Sequence, residues 1–323
     1  MTSRTSAPTA LITGALGQDG QLLAARLLAA GYRVIGLTKA GRTLPPDGTL
    51  ASMQLDHTNL EDATAVRRLL EQARPDEIYH LAAVHHSSQE DPAGHQLAMQ
   101  DAMLRQNFLT TKNLAFSMLE ARATGHLVFA ASSQMYLAGP ADAVVDEHSP
   151  RSPASFYGHT KSWSMDLLAF LRTAHGLRTS TAILFNHESP LRGATFVSRK
   201  ITQAAAHAKM GRPVKLKLQN LGARVDWSSA RDVVAAMHLM AASANGADYV
   251  VASGERRSVQ YLLETAFDVV NLDWRSYVEP ALHHAAPALS GSPAKLCGDL
   301  EWRPSISFEH MIREMVLHDL TRP

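Results

Sequence analysis

The segment Thr13-Gly14-Ala15-Leu16-Gly17-Gln18-Asp19-Gly20 constrains this chain more than any other. It lies between the apolar run Ala10-Leu11-Ile12-Thr13 and a stretch, Gln21 to Ala30, whose apolar residues recur at helical spacing. Glycines at 14, 17 and 20 let the backbone turn sharply and bring its amides against a pyrophosphate, with the partial positive charge of a helix amino terminus behind them. Three glycines also make an ordinary tight turn. The strand before, the helix after and a βαβ pattern beyond select the dinucleotide reading, with Gly14, Gly17, Gln18, Asp19 and Gly20 as cofactor-binding positions.

That pattern continues. Arg33–Leu37, Ser52–Asp56, Glu77–Ala82, His126–Ala131 and Arg178–Phe185 read as strands, and Ala63–Ala73, Gln100–Leu119 and Ser155–His175 as helices. Short buried runs alternating with helices predict an α/β fold: a Rossmann-type doubly wound parallel sheet with right-handed crossovers. From Asn186 onward Pro190, Gly193, Gly211 and Pro213 loosen the pattern, which predicts a smaller C-terminal substrate-binding lobe. The expected division is a dinucleotide-binding domain over 7–185, also receiving segments near 226–252, and a lobe from 186–225 and 253–323. Pro280–Pro293 is expected to be a loop passing over the site.

A formal net charge of +1 gives no drive towards nucleic acid or a membrane surface. The single cysteine, Cys297, excludes an internal disulfide and fits a reducing compartment. Residues 1–9 contain no apolar signal core, so a cytoplasmic location is expected. The pairs His85-His86 and His283-His284 lack the spacing of metal ligands, and no metal is expected. Without a Gly-x-Ser-x-Gly elbow, hydrolysis is set aside.

The end of the second strand bears on the cofactor. NAD sites usually carry an acidic residue there for the ribose 2′-hydroxyl. Here the chain reads Thr38-Lys39-Ala40-Gly41-Arg42, and two cations suit a 2′-phosphate. NADP is therefore the expected cofactor, with Lys39 and Arg42 at its phosphate and NAD as the alternative. Asp56, closing the third strand, is placed to meet the adenine. Further along, Tyr157 and Lys161 stand four apart on one helix face. A neighbouring ammonium favours the phenolate and lowers a tyrosine pKa from about 10 towards neutrality, making an acid/base for a sugar hydroxyl.

These motifs occur in the order glycine loop, Asp56, Leu81-Ala82-Ala83, Ser132, Tyr157 and Lys161, and in that order the chain resembles the extended short-chain dehydrogenase/reductases. More narrowly it resembles the GDP-mannose 4,6-dehydratase family. That likeness is carried by Asp76-Glu-Ile-Tyr-His-Leu-Ala-Ala83, Leu184-Phe-Asn-His-Glu-Ser-Pro190, Thr195-Phe-Val-Ser-Arg-Lys-Ile201, Gly291-Ser-Pro-Ala-Lys295 and Trp302-Arg-Pro304. The resemblance implies hydride transfer at C4 of a nucleotide-linked sugar. Tyr157 would take the C4 hydroxyl proton, Ser132 would bond the same oxygen, and Lys161 would hold the cofactor ribose. It also implies cofactor contacts at Leu81, Ala82, Ala83, Leu184, Asn186 and His187. Substrate contacts are implied at Asn186, Glu188, Arg192, Lys200 and Arg224, while His85 and His86, with Ser87 and Ser88, are candidates for the sugar hydroxyls.

The sequence departs from that family at one chemical position. Gln134 stands where the dehydratases have a glutamate that removes the C5 proton and expels water at C6. An amide does neither at these pH values. Two arginines with which that family would clasp the diphosphate are also absent from their usual places, where Val225, one residue after Arg224, and the segment Leu282–His284 stand instead. The expected function is an NADP-dependent oxidoreductase (reductase, dehydrogenase or epimerase) acting at C4 of a GDP-hexose or related GDP-sugar, without full dehydration. Its alternatives are a 4,6-dehydratase using another base, such as Glu90 or Asp91, and a catalytically weak cofactor-binding relative. The apolar face Trp163, Met165, Leu167, Leu168 and Leu171 is expected to pair two chains as a homodimer or within a higher homo-oligomer.

Overall fold

A computed structural model describes residues 7–84, 96–137, 142–279 and 288–321. In chain order the elements are β1 (Thr9–Thr13), α1 (Gln18–Ala29), β2 (Arg33–Leu37), β3 (Gln54–Asp56), α2 (Ala63–Ala73), β4 (Glu77–His80), α3 (Gln96–Met103), α4 (Thr110–Glu120), β5 (His126–Ser132), β6 (Val144–Val145) and α5 (Phe156–His175). There follow β7 (Thr179–Leu184), β8 (Asn186–Glu188), α6 (Val197–Lys209), β9 (Arg224–Ser229), α7 (Ala230–Ala242), β10 (Asp248–Val251), β11 (Arg256–Ser258), α8 (Val259–Asp268), β12 (Ser290–Gly291), α9 (Ala294–Leu300) and α10 (Phe308–Leu320).

The chain divides into two units. The first comprises the described parts of Met1–Ala138, Pro150–Ile183 and Val234–Tyr249. It is organised on the seven-stranded sheet, ordered β10-β7-β5-β4-β1-β2-β3, and the recorded pairs from β3 through β5 are parallel. Its strands are near-continuous apolar runs because both faces are covered. Leu11, Ile12, Val34, Ile35, Ile78, Leu127 and Val128 are buried, as are Leu23, Leu27, Leu70, Leu114 and Leu168 on the helices. Strand order reverses between β1 and β4, so their carboxyl ends diverge and leave a crevice.

Local chemistry fixes the helix ends. Asp62 caps α2 by accepting from the Thr64 and Ala65 amides, and Ser155 caps α5 by accepting from Gly158. Gly176, at φ 65°, terminates α5 in the left-handed region. Arg172, in the last turn of α5, forks onto Asp248 at 3.0 and 2.9 Å.

Several expected boundaries move. Strand β4 stops at His80 rather than Ala82, because the Leu81 and Ala82 amides turn away to donate to Thr13 Oγ1, both at 3.1 Å. Strand β3 begins at Gln54 rather than Ser52, and α1 begins at Gln18 rather than Gln21. The expected helix over Gln100–Leu119 is interrupted by a π-helical stretch, Leu104–Leu109, whose Asn107 is buried.

The second unit comprises the described parts of Gly139–Ser149, Leu184–Val233 and Val250–Pro323. Residues from the 139–149 segment belong here because β6 pairs with β12 and Glu147 accepts from the Val250 amide at 2.7 Å. A three-stranded sheet ordered β11-β9-β8 accompanies a helical core of Ile201, Ala205, Leu262, Leu263, Phe267, Ile312 and Met315. Each large side chain buried there contributes about 1.5–3 kcal/mol. Arg199 and Asp319 form a buried ion pair between α6 and α10. Asp226 on β9 is 1% exposed and accepts from the amides of Ser253, Gly254 and Gly291 at 3.0, 3.1 and 3.0 Å. That single carboxylate ties two loops to one strand.

Candidate active site

A cavity of about 600 Å³ occupies the crevice. It is lined by Gly14 and Gly17 after β1, Lys39 and Arg42 after β2, His57 after β3, and Leu81 to Val84 after β4. The glycines are required by geometry. Gly14 has φ +70°, and a Cβ there would lie 3.0 Å from the Ala82 backbone. A Cβ on Gly20 would lie 2.4 Å from the Gly14 carbonyl oxygen, so the first turn of α1 packs directly on the loop. Bare backbone around an open crevice, at a helix amino terminus and beside two cations, fits a dinucleotide phosphate.

Of the expected cofactor positions, Gly14, Gly17, Lys39, Arg42, Leu81, Ala82 and Ala83 line this cavity. Gln18, Asp19, Gly20 and Asp56 stand beside it without lining it. Gln18 donates to Asp19 at 3.1 Å, and Asp56 accepts from the Thr58 amide at 2.8 Å, closing a turn under the cavity wall.

The carboxyl end of β5 and the start of α5 bring four further residues together. Ser132 closes β5, and its Oγ accepts from the Gln134 amide at 3.2 Å. Gln134 Oε1 in turn accepts from the Ser155 hydroxyl at 3.0 Å. Ser155 Oγ also takes the Gly158 amide at 3.1 Å, so one hydroxyl joins the Gln134 side chain to the turn that carries Tyr157. Gly158 is needed there, since a Cβ would lie 2.6 Å from the Gln134 carbonyl oxygen.

Lys161, one turn beyond Tyr157, is 1% exposed. Its Nζ donates to Ala130 O at 2.7 Å and lies 4.8 Å from the Phe129 ring centroid and 5.7 Å from that of Tyr157. Burial pulls its pKa from 10.5 down to about 7.

Behind both groups runs a buried network that the sequence reading passed over. Thr13 Oγ1 meets His80 Nδ1 at 2.8 Å, and His80 Nε2 meets Thr111 Oγ1 at 3.0 Å. Thr111 donates to Asn107 O at 2.6 Å, and the Asn107 side chain bonds Val84 N at 2.8 Å, Val84 O at 3.0 Å and Thr160 Oγ1 at 3.2 Å. Burial first, and Lys161 second, lower the His80 pKa to about 3. The available signal was a histidine inside an otherwise apolar buried run, Ile78-Tyr79-His80-Leu81.

The remaining expected residues lie in the second unit. Glu188 is 2% exposed, accepts from Ser198 at 2.5 Å and pairs with Arg192 Nε at 3.3 Å. The Arg192 guanidinium stacks 3.5 Å over the Phe196 ring. His187 Nδ1 meets Phe185 O at 2.7 Å, and Leu184 is buried. Asn186 and Arg224 are exposed and Lys200 is half-buried. His85, His86, Ser87, Ser88, Glu90, Asp91 and Leu282–His284 lie outside the described residues, as does most of Pro280–Pro293.

A doubly wound sheet, a glycine cradle at its switch point and a serine, tyrosine and lysine gathered at β5 and α5 define an extended short-chain dehydrogenase/reductase. The sequence model of the GDP-mannose 4,6 dehydratase family matches residues 11–315. The Arabidopsis thaliana protein GDP-mannose 4,6 dehydratase 2 is 35% identical over 96% of this chain and 86% of its own length. Vibrio cholerae GDP-mannose 4,6-dehydratase is 30% identical over 96% and 93%. This chain belongs to the GDP-mannose 4,6-dehydratase family. Among solved structures, Thermus thermophilus UDP-glucose 4-epimerase in complex with NAD superposes with a TM-score of 0.79 at 23% identity, covering 96% of this chain and 98% of its own. Pseudomonas aeruginosa RMD complexed with NADPH gives 0.79 at 20%, covering 98% and 100%. Both share the fold.

Proposed function

We propose that the protein is a cytoplasmic, NADP-dependent oxidoreductase that acts at C4 of a GDP-hexose or related GDP-sugar and does not complete 4,6-dehydration. Family membership supports a nucleotide sugar as substrate and a nicotinamide dinucleotide as cofactor. Lys39 and Arg42 on the cavity wall support NADP over NAD. When bound, the nicotinamide supplies the hydride acceptor and donor. Gly14, Gly17 and the Leu81–Ala83 backbone would hold the dinucleotide that carries it.

Tyr157 takes or returns the C4 hydroxyl proton, and Ser132 fixes that oxygen. Lys161 and Tyr157 support each other, since the ammonium favours the phenolate and the phenolate favours the ammonium. In the second unit, Arg192 and Lys200 offer cations for a diphosphate or base, and Glu188 fixes Arg192.

One observation carries the restriction to C4. The group held against the turn of Tyr157 is the Gln134 amide, with its oxygen engaged by Ser155 at 3.0 Å. A carboxylate there would be a proton carrier, whereas the amide is not. Elimination across C5 and C6 therefore lacks its acid/base at that position.

The test is incubation of the purified chain with GDP-mannose and NADP, following the sugar by proton NMR. Oxidation or isotope exchange at C4 without a C6 methyl is the expected result. A C6 methyl signal would overturn the restriction, and no C4 chemistry with any GDP-sugar would overturn the activity.

The same reading includes a homodimer or higher homo-oligomer. Met165, Leu168 and Leu171 are buried in their own unit, so that face of α5 is core. Of that face Trp163, at 40% exposed, and the half-buried Leu167 are left to meet another copy, with Phe170 exposed beside them. Sedimentation at micromolar concentration decides it, and a monomer there refutes the pairing. No helix among the described residues is long and apolar enough to cross a membrane.

A further inference from the structure

His80 bonds threonine hydroxyls at both ends of its ring, and its neighbours determine which ring nitrogen carries the proton. Thr13 Oγ1 accepts from the Leu81 and Ala82 amides, so its own proton is directed at His80 Nδ1, 2.8 Å away. On the other side, Thr111 donates its proton to Asn107 O at 2.6 Å and Thr110 donates to Gln106 O at 2.8 Å. Both hydroxyl oxygens then face His80 Nε2 as acceptors, at 3.0 and 3.5 Å. One arrangement satisfies every group: a neutral ring with Nδ1 accepting and Nε2–H donating.

The two ends of this chain serve different parts of the site. Thr13 precedes Gly14, and the amides it holds belong to Leu81 and Ala82, which line the cavity. Asn107 sits in the π-helical stretch, clamps both backbone groups of Val84, and reaches Thr160, whose hydroxyl donates to Tyr157 O at 2.8 Å. Among the described residues, the imidazole is the side chain that bonds to both threonines, 13 and 111.

We propose that His80 is a positioning residue whose Nε2–H tautomer ties the cofactor cradle to the Asn107 clamp, so that the glycine turn and the helix bearing Tyr157 are set as one piece. The ring touches no reacting atom. Its action is to keep Thr13 a fixed acceptor for the cradle amides and Thr111 a fixed donor to the π-helical carbonyl. The inference rests on the dinucleotide reading above for its consequence, and on the hydrogen-bond directions alone for its geometry.

Two substitutions separate the ends, because an asparagine oxygen superposes on Nδ1 and a glutamine amide on Nε2. In the ligand-free full chain, His80→Asn keeps the Thr13 contact and loses Thr111. The Val84 amide should then exchange about tenfold faster while the Leu81 and Ala82 amides stay protected and NADPH affinity stays within about threefold of the parent. His80→Gln should do the reverse, with faster exchange at Leu81 and Ala82 and about tenfold weaker NADPH binding.

Nitrogen NMR of the parent, with the His80 signal assigned from its loss in His80→Asn, should show protonated Nε2 and bare Nδ1. A protonated Nδ1, or two variants that lower the unfolding midpoint equally with no difference between the two sets of amides, would overturn the proposal. Failure of the parent to bind NADPH would sink the dinucleotide reading instead, leaving the tautomer and exchange patterns to decide the relay.

Discussion

Lys161→Met should make the ligand-free protein more stable at neutral pH while abolishing the proposed chemistry. Burial moves the amine from 10.5 to about 7. At about 1.36 kcal/mol per pH unit, that gap amounts to a penalty of about 4 kcal/mol at pH 7, where half of the folded molecules carry the charge. Methionine removes the penalty at similar length, but it also strands Ala130 O, whose bond from Nζ is 2.7 Å long and worth about 1–2 kcal/mol. A net gain of about 2–3 kcal/mol remains.

The sign of the pH dependence follows from the direction of the shift. The folded value lies below the unfolded one, so between about 7 and 10.5 the unfolded chain still holds a proton that the folded chain has released. Parent stability therefore rises through that window by up to about 1.36 kcal/mol per pH unit, and the variant lacks this contribution. Urea unfolding of both proteins between about pH 7 and 9.5 measures the difference. It should be largest at pH 7 and close as the solution becomes alkaline. A variant less stable than the parent at pH 7, or a difference independent of pH, would show that Lys161 is not held as a buried, partly neutral amine.

Gly20→Ala should cost about 1–3 kcal/mol and weaken NADPH binding about tenfold, because its Cβ meets the Gly14 oxygen at 2.4 Å and α1 must back away; unchanged binding by fluorescence titration would refute the close packing. Replacing Lys39 and Arg42 together with alanine should cut the NADP-to-NAD affinity ratio about tenfold or more, while equal loss for both cofactors would place the 2′-phosphate elsewhere. Asp226→Asn should destabilise by about 2–3 kcal/mol in urea, since one amide nitrogen then faces the Gly254 and Gly291 donors; no change would mean those amides find other acceptors. Gln134→Glu should begin to produce a C6 methyl from GDP-mannose, with Ser155 able to donate to the carboxylate as it does to the amide; absence of any such product would show that more than this proton carrier is missing.

Local features were legible in the sequence because local physics produces them. Strand β2 and helix α2 fall where the apolar spacing puts them, at Arg33–Leu37 and Ala63–Ala73. The glycine turn forms where backbone must approach backbone, and the Tyr157/Lys161 spacing places the ammonium 5.7 Å from the phenol ring. The π-helical stretch was not legible, since Asn107 earns its place through Val84 and Thr160, far along the chain. Spacing marks an apolar face on α5, yet periodicity alone does not say which neighbour covers a stripe, and Met165, Leu168 and Leu171 are buried in their own unit.

By itself, then, the sequence determined the order of strands and helices, the glycine turn after β1 and the spacing that sets Tyr157 beside Lys161 on one helix. Each depends on residues within a turn or two of one another. Only the tertiary structure decided how those pieces are fixed. It buried Lys161 against Ala130 O, placed Gln134 under Ser155, and threaded Thr13, His80 and Thr111 into one directed chain across separations of 67 and 31 residues. Hydrogen-bond direction depends on every partner being present at once, and those partners meet only when the sheet has folded.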